Sequence, residues 1–190
     1  MLLKEVDYLN LGRQVADLLG SALEGPSVEA LRELARVYDP SADEVRIKAE
    51  VFLFHKYVLM QACTGVFAES QVDHVVGGLF AALNERAGWL ELSPDRQEAM
   101  ERMWQQRVRE FDQPFSKDRA DFLDDGVSPL NWKGIILQFC QNVREIESPS
   151  DLWADDDGPS HAASGSVTTA FSEMVAALGE INQRHFSGAV

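Results

Sequence analysis

Three side chains carry most of the intrinsic reactivity of this chain: the imidazole of His55 and the thiols of Cys63 and Cys140. In helical register His55 falls among Val51, Phe52, Val58, Leu59 and Ala62, on an apolar face. A buried imidazole serves as a general base, a metal ligand or a core group hydrogen-bonded to a neighbour. With no partner in view in the sequence, the core reading is expected. Both cysteines sit in apolar helical stretches without an electropositive neighbour, conditions that raise a thiol pKa and silence it as a nucleophile. Their wide separation reads as two free thiols in a reducing compartment rather than a disulfide framework.

Metal chemistry lacks its spacings. A di-metal carboxylate bundle needs Glu-x-x-His so that both side chains grip one ion from one helix face, but His74 has Gln71 at that position and Glu180 and His185 are five apart. The runs Asp124, Asp125, Gly126 and Asp155, Asp156, Asp157, Gly158 resemble calcium loops. Aligning either glycine with the sixth loop position puts Trp132 or Ser164 where a bidentate glutamate belongs. No glycine-rich phosphate loop or nucleophile elbow is present in the sequence. No metal or cofactor is expected, and the chain leans away from an enzyme.

The elements that hold these residues read as helices throughout. Lys4 to Leu23 keeps an apolar period near one helical turn, and Gly25, Pro26 and Ser27 end it and open a second helix through Val37. Ser41 with Glu44 forms a capping-box pattern ahead of a long third helix, Val45 to Phe67, apolar on nearly every side. Only the strip Arg46, Glu50, Tyr57, Gln61 and Thr64 is expected to meet water. Ser70 and Asp73 cap a fourth helix interrupted by Gly77 and Gly78, which predict a close helix approach.

Ser93 and Pro94 open a fifth helix that Pro114 is expected to close, with a short helix from Lys117 to Leu123 after it. Its arginines Arg96, Arg102, Arg107 and Arg109 alternate with glutamates and read as a salt-bridged, solvated face. Ser128 and Pro129 precede a helix bearing Trp132, Ile135, Ile136 and Phe139. Residues 148–166 read as an acidic Ser/Asp/Pro/Gly loop, and a last helix runs from Val167 to about Phe186. The fold class is therefore all-α: one domain, residues 1–190, a bundle of seven to eight helices packed around a central buried helix.

Length and composition suit such a domain, with 190 residues, 45% apolar and 25% charged. Lys56 and His55 interrupt the most apolar stretch, so no membrane span is expected. The chain opens without a secretory pattern, and a cytoplasmic location is the expectation. Seventeen basic against 31 acidic residues give a formal charge of −14, which repels nucleic acid and anionic lipid and favours a basic protein partner.

Two functional readings follow. In the first, the protein is a non-enzymatic interaction module (an adaptor, dedicated chaperone or inhibitor-like protein) whose acidic surface engages a basic partner through Leu152, Trp153, Asp155, Asp156 and Asp157. An apolar anchor amid acid suits a basic-rimmed pocket, although Trp153 folding back onto the core is the favoured local reading. In the second, a helical regulatory protein holds a small apolar ligand near His55, Met60, Met100, Met103 and Trp104. A further alternative, an unrecognised helical enzyme, would need polar groups converging on His55.

Overall fold

The computed structural model describes residues 6–88, 94–125, 132–144 and 158–186. These form seven helices: α1 (Tyr8–Ala22), α2 (Pro26–Tyr38), α3 (Glu44–Val66), α4 (Glu69–Gly88), α5 (Pro94–Asp125), α6 (Lys133–Arg144) and α7 (Pro159–Phe186). No strand occurs among the described residues, and the protein is an all-α single domain. No described helix is long and apolar enough to cross a membrane.

Local chemistry sets the helix starts. The Asp7 carboxylate accepts from the Asn10 amide at 3.0 Å to cap α1. Gly25 precedes α2 without a side-chain cap, and Pro26 takes the first turn, where its missing N–H costs nothing. At α3 the expected Ser41–Glu44 box does not form. Asp43 is the cap, accepting from Val45 N at 3.2 Å, while the Ser41 hydroxyl donates to Asp39 at 2.6 Å and Glu44 pairs with Arg32 and Arg36. The α4 helix starts at Glu69, so Ser70 lies inside it rather than capping it.

The helix α3 touches all six other described helices. Its buried side chains include Ile47, Val51, Phe54, Val58, Leu59 and Cys63. Phe54 meets Phe111 of α5 and Phe139 of α6 edge-on, with centroids 5.8 and 5.6 Å away. The helices α1 and α4 form another close pair. A Cβ added at Gly12 would lie 2.0 Å from the Gly78 carbonyl carbon, and one at Gly78 would lie 2.1 Å from the Tyr8 oxygen. The predicted close approach is therefore present, but it belongs to Gly78 alone, since a Cβ at Gly77 meets nothing within 4 Å. Tyr8 stacks on His74 and Asp17 pairs with Arg86, so contacts advance together along both helices and the two run parallel.

Four further expectations fail. The strip of α3 assigned to water is partly sealed: Glu50 is 2% exposed and Tyr57 fully buried. Arg107, assigned to a solvated face, is 9% exposed and covers Glu50. Pro114 does not end α5, which continues through it as one helix. An internal proline costs about 3 kcal/mol, and aromatic packing on each side offsets it. Phe111 and Phe115 rest on Tyr57, with centroids at 5.3 and 5.8 Å, and Phe115 also meets Trp132 at 5.7 Å. Finally, α7 begins at Pro159, so residues 159–166 of the expected loop are helical. Ser160, Ala163 and Val167 recur at helical spacing and are buried.

Candidate functional site

A cavity of about 430 Å³ lies between the α1–α2 turn and α7. Leu18 and Ala22 of α1 and Ala170, Met174 and Ala177 of α7 supply apolar walls, and Gly25, Pro26 and Ser27 form the wall at the start of α2. Ser21, Ser166, Thr169 and Glu173 add the polar lining, and Glu173 is exposed. The volume falls within the range of small-molecule sites, which are mostly apolar with a few placed polar groups.

Ser27 links this cavity to His55. The Ser27 hydroxyl lies 2.8 Å from His55 Nε2, and His55 Nδ1 lies 2.8 Å from the Val51 carbonyl oxygen. A carbonyl only accepts, so Nδ1 carries the proton and donates to Val51. Nε2 is then the acceptor, and the serine hydroxyl donates to it. Both side chains are 1% exposed. Burial pushes the His55 pKa down, with the Val51 hydrogen bond opposing, and the neutral ring is favoured. Sequence reading placed His55 correctly on a buried face but missed Ser27, which lies 28 positions away on another helix.

The other expected ligand residues are spread over a different region. Trp104 is buried, Met60 and Met103 are half-buried and Met100 is 42% exposed. None of His55, Met60, Met100, Met103 and Trp104 lines the cavity beside α7. What gathers at Trp104 is a cation site: Lys56 Nζ sits 4.0 Å from its ring centroid and 4.6 Å from that of Phe80. The two rings meet edge-on at 5.8 Å. Burial lowers the Lys56 pKa to about 8, with the charge of Glu101 opposing.

A second polar cluster is structural in form. Arg107 Nε donates to Glu50 at 2.8 Å, its Nη2 donates at 2.6 Å, and Nη1 reaches Glu110 at 2.6 Å. Tyr57 donates to Asp112 at 2.8 Å, and burial raises the phenol pKa. Cys63 and Cys140 are buried free thiols whose pKa rises to about 12 through desolvation. Among the described residues no group of three or more His, Cys, Asp or Glu is placed to hold a metal ion. The expected partner segment, Leu152, Trp153, Asp155, Asp156 and Asp157, lies outside the described residues.

No family model, no curated protein and no solved structure matches the chain.

Proposed function

We propose that the protein binds a small amphipathic molecule, neutral or cationic, in the cavity between the α1–α2 turn and α7. The observation that carries this reading is a cavity of about 430 Å³ with apolar walls and Glu173 among its lining residues. Leu18, Ala22, Met174 and Ala177 favour an alkyl or aromatic body. Glu173 and the overall charge of −14 favour a cationic head and disfavour a carboxylate or phosphate.

A ligand that binds only the folded state stabilises it by about 2.7 kcal/mol at a concentration of 100 times Kd. Alkyl amines of six to eight carbons should therefore raise Tm more than the matching carboxylates, and Ala177→Phe, which fills the cavity, should remove the effect. Equal or absent shifts across the series would sink the reading.

A second reading, the acidic interaction module, is supported by the charge of −14. Its test is recovery of a basic partner at low and high salt with Trp153→Ala and with Asp155, Asp156 and Asp157 neutralised together. Unchanged recovery would remove that segment as the contact.

A further inference from the structure

We infer that Ser27 is a nucleophile for acyl transfer and His55 its general base, acting on a neutral or cationic ester bound in the α1–α2/α7 cavity. The inference rests on the ligand-binding reading of that cavity and adds chemistry to it.

The hydrogen-bond directions are those such a pair needs. Val51 O fixes the proton on Nδ1, leaving the Nε2 lone pair aimed at the Ser27 hydroxyl proton at 2.8 Å. Burial supports the pair by favouring the unprotonated ring. Ser27 is among the residues that line the cavity, at 1% exposure.

The start of α2 supplies the second element. Gly25 holds the cap position with no side-chain bond, and Ser27, two residues on in the first turn, gives its hydroxyl to His55. Among the described residues the Ser27 backbone amide has no acceptor. A nucleophile whose own amide is free at a helix N-terminus has a donor ready for the oxyanion.

In the acylation step Ser27 Oγ attacks the ester carbonyl carbon and its proton moves to His55 Nε2. The C–O bond to the alcohol breaks, the alcohol takes the proton from Nε2, and an acyl-Ser27 ester remains. Water then adds with the same proton path, releasing the acid and restoring Ser27. A backbone carbonyl stands where a carboxylate would steady the imidazolium, so turnover is slow and the acyl form is the readier observable.

The test uses the full chain with an alkyl fluorophosphonate and with p-nitrophenyl butyrate. One phosphonyl group should appear on the peptide containing Ser27, with fluoride released. Ser27→Ala should lose the adduct and lower butyrate release by about 100-fold or more. Peptide mapping of the unmutated protein locates the adduct without relying on a variant's folding. A label elsewhere, or none, overturns the assignment. Hexylamine run in parallel separates the two readings: a raised Tm without an adduct overturns the nucleophile alone, and neither signal overturns both.

Discussion

Glu50 of α3 and Arg107 of α5 lie 57 positions apart in sequence and form a two-pronged ion pair at 2.8 and 2.6 Å, with the carboxylate 2% exposed. Breaking one half of a buried pair leaves an uncompensated charge and costs about 3–5 kcal/mol. Arg107→Met strands the Glu50 carboxylate and should destabilise by that order in urea unfolding, while Glu50→Leu should cost less because Arg107 keeps Glu110. The double variant should lose less than the two singles combined, because no charge is left stranded. Additive losses would show that the pair contributes through packing only.

The two adjacent glycines of α4 should separate cleanly. Gly78→Ala places a methyl 2.1 Å from the Tyr8 carbonyl oxygen, forcing α1 and α4 apart. Gly77→Ala meets nothing within 4 Å and should gain about 1 kcal/mol from helix propensity. Thermal melts of both variants check this, and the expected signs are opposite.

His55 should give the fold an acid-sensitive slope. Its folded pKa is lowered below the ordinary 6.5, so below that pH the unfolded chain binds the proton more readily. Stability is unaffected by this group above 6.5. It falls as pH drops below 6.5, by at most about 1.4 kcal/mol per unit, until the folded ring protonates too. The slope of unfolding free energy against pH should shrink in His55→Gln, measured by urea titration from pH 7.5 to 5.

Cys63 and Cys140 are buried, with thiol pKa values pushed to about 12. An aromatic disulfide reagent at pH 8 should find no reactive thiol in the folded protein and two after denaturation. Rapid reaction in the folded state would contradict the burial of either.

The helical class and the break between α1 and α2 are readable in the sequence because the apolar period and the Gly25–Pro26 pair coincide there, whereas the cap of α3 is not, since Asp43 takes the place of Ser41. Sequence reading failed where polar identity stood in for exposure. Glu50 and Tyr57 look like water-facing residues until Arg107 and Asp112, each more than 50 positions away, cover them. Pro114 looks like a stop because helix propensity is local, whereas Phe111 and Phe115 are held from outside the helix. The start of α7 is hidden because Ser160 and Ala163 bury small side chains that read as loop composition. At the candidate site His55 was visible, and Ser27 was not, since only the folding of α2 onto α3 brings the hydroxyl to the ring.

Because α3 contacts every other described helix, no neighbour can detach without uncovering part of it. Amide exchange along Val51–Leu59 should then proceed only through whole-molecule opening, and those protons should be the slowest in the protein. Fraying should be confined to helix ends away from α3, which makes unfolding of this domain one cooperative event.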